Sequence, residues 1–264
     1  MANRLSIGTA WTEAALFLRR ARRVVSPVAL GLIVLPAVAL QLVQPSNPFD
    51  LSASSSNWRF VALVVLVLGL IGQMAIMRLA IGWSGSVGGA IGLAVRRVVP
   101  AVLAMLLFGV LVGIALMPVL LLSLLVTGTS TANSPAASAI SLLVAVLLLL
   151  ALPRVLMAPA VAVERSLNPW RLLRETLRTT RGNYWRLLGF FGLFLIGSVV
   201  FALAVSVVLG SLVTLLIGTP EPLTLPRLIL ALGGGLVQAA IASLSAAMTG
   251  RILVQLLGGS TSGT

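Results

Sequence analysis

The sequence predicts an all-α membrane protein with six transmembrane helices, grouped as three tandem units of an amphipathic helix plus a helical hairpin. Three observations carry that prediction. The 264 residues are 59% hydrophobic and 9% charged, a balance that a water-soluble domain cannot hold without exposing much of its apolar surface. Apolar runs cover residues 24–43, 60–81, 98–126, 140–163, 187–217 and 228–257, and each reaches the roughly 20 residues that a helix needs to cross a hydrocarbon core of about 30 Å. The connectors between these runs alternate between neutral and arginine-rich. No interval between runs is long enough to build a core of its own, so the whole chain reads as one polytopic membrane domain.

The first run follows Arg19, Arg20, Arg22 and Arg23. It outlasts the apolar core of a signal peptide and exits through Gln44-Pro45-Ser46 without a small-residue cleavage site, so it is expected to remain as a span. Ahead of it, Ala10, Ala14, Phe17, Ala21 and Val24 share one helical face, while Thr12, Arg19, Arg20 and Arg23 oppose them. Trp11 falls at the interfacial boundary of that helix. The second run leads to a Gly-rich stretch, with Gly85, Gly88, Gly89 and Gly92, before the third. Those glycines weaken a surface helix by roughly 1 kcal/mol each, which leaves a packed or hinged connector equally open.

Internal repetition supports the three units. The segment ARRVVSPVAL from Ala21 matches VRRVVPAVLA from Val95 through Arg-Arg-Val-Val, and a more diverged copy begins at Pro169-Trp170. The units are placed at 1–82, 83–163 and 164–257, with a disordered tail over 258–264.

The formal net charge is +13, and all 18 basic residues are arginine. Only Arg59 and Arg227 lie at the ends of runs on one side; every other arginine falls on the opposite side. The positive-inside rule makes that crowded side cytoplasmic and puts both termini there, in a bacterial inner membrane. The neutral connectors 44–57, 127–135 and 218–226 then face outward. Guanidinium groups suit phosphate oxygens, which points to anionic phospholipids as partners, although a GC-rich genome would also replace lysine with arginine. The arginines flank apolar runs and build no soluble basic patch, so nucleic acid is set aside as a partner. A protein partner or homo-oligomer stays open.

The clearest candidate site is residues 168–186. On a helix, Arg171, Arg174, Arg178 and Arg181 share a narrow arc, and Trp170, Leu173, Leu177 and Tyr184 line the neighbouring one. Asn168 suits the N-cap, Pro169 the first helical position, and Gly182-Asn183 a stop. Such a helix is expected in the inner headgroup layer, with Trp170, Tyr184 and Trp185 as anchors beside Trp11. The plainer alternative is that it only orients the spans around it. A second set is Arg78, Arg154 and Arg251, each inside an apolar run near its arginine-rich end. Edge placement with snorkelling is the default for all three. Arg154 sits deepest, between Pro153 and Pro159, with Glu164 or a lipid phosphate as its expected partner. In the last run Gly235, Ala239, Ser243 and Ala247 recur every four residues as a helix-packing seam.

No cysteine or histidine is present, which removes thiol chemistry, disulfides and ordinary zinc or haem ligation. The five acidic residues are scattered, so no clustered carboxylate metal site is expected, nor any cofactor. The expected function is therefore non-enzymatic.

Pro159-Ala160, Val163-Glu164-Arg165, the run from Asn168 to Thr176 and Arg181-Gly182-Asn183-Tyr184-Trp185 resemble a recurrent motif of one bacterial family. It is the membrane domain attached to some glycerophosphoryl diester phosphodiesterases, which also occurs alone. That resemblance covers roughly 30 residues and implies an envelope protein. The family's soluble catalytic barrel has no counterpart in these residues, so no catalytic residue carries over. The leading expectation is a protein that organises or binds anionic phospholipid, or a membrane partner, through inner-face arginines. The alternative is a permease or flippase-like transporter of an amphiphile, with Arg154 and its repeat counterparts facing a central cavity.

Overall fold

A computed structural model of the chain describes residues 6–43, 57–82, 85–127, 135–165, 168–218 and 224–261. Among these residues the secondary structure is helical throughout, without a strand. The elements are α1 (Ile7–Arg20), α2 (Arg22–Ala29), a π-helical turn (Leu30–Val34), α3 (Leu35–Val43), α4 (Asn57–Ile81), α5 (Val87–Thr127), α6 (Pro135–Glu164), α7 (Pro169–Arg181), α8 (Tyr184–Leu216) and α9 (Leu225–Thr261).

Among the described residues six stretches are long and apolar enough to cross a bilayer: Arg22–Val43, Trp58–Ile81, Val87–Pro118, Leu142–Glu164, Tyr184–Leu216 and Leu225–Leu257. They coincide with the six runs read from hydropathy, the third beginning well ahead of its expected start. The neutral connectors lie mostly outside the described residues. So do 262–264, while α9 carries on through Thr261 into the segment expected as a tail.

Local signals explain the helix ends. Ser6 caps α1, its hydroxyl accepting from the Thr9 amide at 3.4 Å, and Ser86 does the same for Gly89 at 3.1 Å where α5 begins. Gly82 and Gly218 follow α4 and α8 with φ of 115° and 113°, a left-handed backbone that glycine adopts without a Cβ penalty. The π turn in the first span stands directly before Pro36, whose ring removes one rung of the helical ladder. There Leu35 donates to the Leu30 carbonyl instead, one residue further back than in an α-helix.

The three units differ in their amphipathic element. In the first, α1 is separated from the span by a break at Ala21; in the third, α7 is separated from α8 at Gly182-Asn183. In the second the equivalent residues are the opening turns of the continuous helix α5, so the Gly-rich stretch is a packed start of a span. The matching Arg-Arg-Val-Val segments are packed one residue out of step. Val25 and Val28 are buried in the first copy, Val98 and Ala101 in the second.

Helix α9 is the hub, contacting α1, the first span, α4, α6 and α8. Its seam of small residues does the packing expected of it. Ala239, Ser243 and Ala247 are buried, and a Cβ on Gly235 would stand 3.1 Å from Val38 Cγ2. One on Gly250 would stand 3.1 Å from the Met77 carbonyl oxygen. Backbones can approach this closely only where side chains are small. The densest packing joins Ala10 and Ala14 of α1, Met74–Ala80 in α4, Met157–Val163 in α6 and Ala246–Leu253 in α9. The α4, α6 and α9 stretches belong to the arginine-rich ends of their helices.

Candidate functional site

The arginine-rich ends meet in space, as their side-chain contacts demonstrate. Arg78, near the end of α4, pairs with Glu164 at the end of α6 at 2.5 Å. Arg97 in α5 donates to the Ala162 and Val163 carbonyls at 3.1 and 2.5 Å. Those carbonyls belong to the last turn of α6, where the helix has no acceptor-satisfying amides left and its dipole is negative. Arg165, just past α6, pairs with Glu175 of α7 at 2.5 Å, so both Glu164 and Glu175 are neutralised by arginine. At the other end Arg227 donates to the Gln41 carbonyl at 3.0 Å, joining the start of α9 to the end of α3. Helices that run to and fro across a layer put these ends on opposite sides.

Helix α7 holds the expected stripe. Arg171, Arg174, Arg178 and Arg181 are all exposed and occupy an arc of about 80° at helical spacing. Leu172, Leu173, Thr176 and Thr180 are buried against α5 and α6, on the opposite side of the helix. The two threonine hydroxyls satisfy themselves by donating to the Leu172 and Thr176 carbonyls at 2.8 and 2.9 Å, which lets a polar residue pack at an apolar contact. The packed face is thus rotated from the expected one. Trp170 is 56% exposed, Leu177 is half-buried, and Tyr184 belongs to α8. Asn168 occupies the N-cap without a side-chain hydrogen bond, and Pro169 takes the first helical position.

Arg78, Arg154 and Arg251 have separate surroundings. Glu164 is taken by Arg78, so it is not the partner of Arg154. Arg154 instead lies over the Tyr184 ring at 4.8 Å from its centre, and the Tyr184 hydroxyl donates to the Leu150 carbonyl, one turn before Arg154 on α6. Arg251 lies 5.8 Å from the centre of the Phe17 ring, tying α9 to α1. The aromatic faces offer these guanidinium groups a partner that does not itself need water. Trp11 and Trp185 are 46% and 74% exposed; Tyr184 is half-buried and stacks edge-on to Trp185 at 5.6 Å.

Two large cavities flank α8. One, of about 780 Å³, is apolar and lies between α1, α8 and α9. The other, of about 870 Å³, lies between α8 and the helices α3, α4, α6 and α9. Among the described residues no arginine lines either, so Arg78, Arg154 and Arg251 are not gathered about these two cavities. The second holds the amides of Gln41, Gln73 and Gln238. These were missed in the reading of the sequence, although glutamines inside apolar runs are a signal in themselves. Among the described residues no three metal-ligating side chains come together.

These features define the class: a multi-pass α-helical membrane protein with a polar lock and a free arginine stripe at one end. Comparison of the chain with protein-family models, with curated proteins and with solved structures finds no match in any of the three.

Proposed function

We propose that this is a non-enzymatic integral protein of the bacterial inner membrane that binds anionic phospholipid headgroups through α7, with both termini in the cytoplasm. One observation supports the reading above all. The four α7 arginines are exposed and directed away from the bundle, whereas Arg78 and Arg165 are spent on carboxylates and Arg97 on a helix end. A guanidinium at an anionic leaflet contributes on the order of 1 kcal/mol, and exposed Trp170 and Trp185 supply amphipathic rings suited to the same depth. The resemblance of residues 159–185 to the phosphodiesterase membrane domain points the same way, towards an envelope protein. The transporter alternative asks for arginines around a cavity, and among the described residues the two large cavities have none, so headgroup binding is the reading favoured here.

The test is lipid selectivity of the full chain in nanodiscs. Replacing Arg171, Arg174, Arg178 and Arg181 with glutamine is expected to weaken retention of phosphatidylglycerol or cardiolipin by roughly 5-fold per residue and to leave phosphatidylcholine retention unchanged. Free inorganic phosphate should not compete at millimolar levels. Equal retention of phosphatidylglycerol by the fourfold variant would overturn the reading.

A further inference from the structure

The cavity beside α8 has properties that headgroup binding at α7 does not use. We propose that it is a binding site for a membrane amphiphile whose polar part is uncharged and hydroxyl-bearing, held by the amides of Gln41, Gln73 and Gln238.

The three glutamines come from three helices, α3, α4 and α9, and face one space of about 870 Å³, a volume usual for sites that enclose a small organic ligand. At 1.5 Å rise per residue, Gln73 and Gln238 lie within about 5 Å of the midpoints of their spans, on opposite sides. Gln41 lies two residues from the end of its own span, Arg22–Val43. The amides therefore form rungs from mid-depth towards the arginine-poor end, where Arg227 holds the Gln41 carbonyl. Side-chain amides inside a helical bundle normally bond across to a neighbouring helix. Here Gln41 and Gln73 are half-buried and Gln238 is exposed along the cavity, and none of the three side chains hydrogen-bonds another described residue. Room for Gln41 is provided by Gly234, where a Cβ would stand 3.2 Å from Gln41 Nε2.

The wall formed by α8 is built to admit something. Leu187, Phe190 and Phe191 are buried at one end of this helix and Val213 near the other, while no residue from 192 to 208 is buried. The middle of α8 is thus not sealed against the bundle, and Phe191 lines the cavity from the arginine-rich end of the helix. The occupant's chemistry follows from the lining. Leucine, valine and phenylalanine side chains dominate and call for hydrocarbon; amides donate and accept, which matches hydroxyl groups. Among the described residues no charged side chain lines the cavity, and the Arg227 guanidinium at its outer end is engaged by the Gln41 carbonyl, so a phosphate carried to the Gln73 and Gln238 amides would find no counter-charge among those lining residues. The site is independent of the α7 arginines, and either can fail without the other.

The probe is a diacylglycerol with a photoreactive acyl chain, added to the full chain in nanodiscs, with cross-links mapped by peptide mass spectrometry. Saturable cross-links are expected at Leu195, Val199 and Val237, competed by unlabelled diacylglycerol. Q73L with Q238L should reduce them at least 5-fold, and the fourfold α7 variant should leave them unchanged. V199W, which fills the cavity from the middle of α8, should give the same loss and covers the case in which the glutamine variant fails to fold. Cross-links spread evenly over the lipid-facing surface, labelling that does not saturate, or labelling that survives both variants would overturn the proposal. So would a phosphatidylglycerol probe that labels the cavity as efficiently as the diacylglycerol.

Discussion

Arg78 and Glu164 join the ends of α4 and α6, and a double-mutant cycle on them tests whether the polar lock at the arginine-rich end is energetic as well as geometric. Their side chains are 21% and 33% exposed, between the surface case, where ion pairs give 0 to about 1 kcal/mol, and the buried case, where removing one partner costs roughly 3 to 5 kcal/mol. Arg97 shares the site by holding the last α6 carbonyls, so losing Glu164 leaves Arg78 facing a second guanidinium. E164Q and R78Q are each expected to destabilise by about 1 to 3 kcal/mol, with a coupling of about 1 to 2 kcal/mol between them. Reversible unfolding of the purified protein in mixed detergent micelles gives all four corners. The same cycle on Glu164 and Arg154 should show coupling below about 0.3 kcal/mol, because Arg154 is engaged by Tyr184 instead. Coupling near zero for Arg78, or larger for Arg154 than for Arg78, would refute the reasoning.

Three further outcomes follow from the packing. G250A forces a Cβ to 3.1 Å from a backbone oxygen and should destabilise by about 1 to 2 kcal/mol, whereas G92A, with nothing within 4 Å, should stabilise by about 0.5 to 1 kcal/mol; thermal unfolding that ranks them otherwise contradicts the hub role of α9. Y184F deletes the hydrogen bond to Leu150 and should cost about 1 kcal/mol, while Y184L also removes the ring under Arg154 and should cost roughly 0.5 to 1 kcal/mol beyond the ordinary loss of a large side chain, read from the same unfolding curves. Phosphatidylglycerol retention should fall as salt rises from about 0.05 to about 0.5 M, since the Debye length that screens exposed guanidinium groups shrinks from about 14 to about 4 Å; salt-independent retention would assign it to buried contacts.

Six spans and the α7 stripe were legible because each rests on local periodicity: about 20 apolar residues in a row, or arginines three and four apart. The seam from Gly235 to Ala247 was legible for the same reason. Partners across the bundle were not. Glu164 is ten residues from Arg154 in the chain and 86 from Arg78, yet it pairs with Arg78, because the α4 and α6 ends meet at one side of the layer. Nor does periodicity say which of two arcs on an amphipathic helix faces protein. Leu172, Thr176 and Thr180 pack inward because small self-bonded threonines allow α7 to sit close on α5 and α6, while the larger Trp170 stays outside. The fusion of the Gly-rich stretch into α5 was likewise set by burial of Ala90, Ala94 and Val98, which outweighs the low helix propensity of the glycines.

The account depends on α7 and the first turn of α9 lying on opposite sides of one bilayer. Single cysteines at Arg171 and Leu225, in a chain that otherwise has none, make this directly measurable with a membrane-impermeant maleimide on intact cells and on inverted vesicles. R171C should react only in inverted vesicles and L225C only in intact cells. Labelling of both from the same side would contradict the orientation and, with it, the binding of inner-leaflet phospholipid by the α7 arginines.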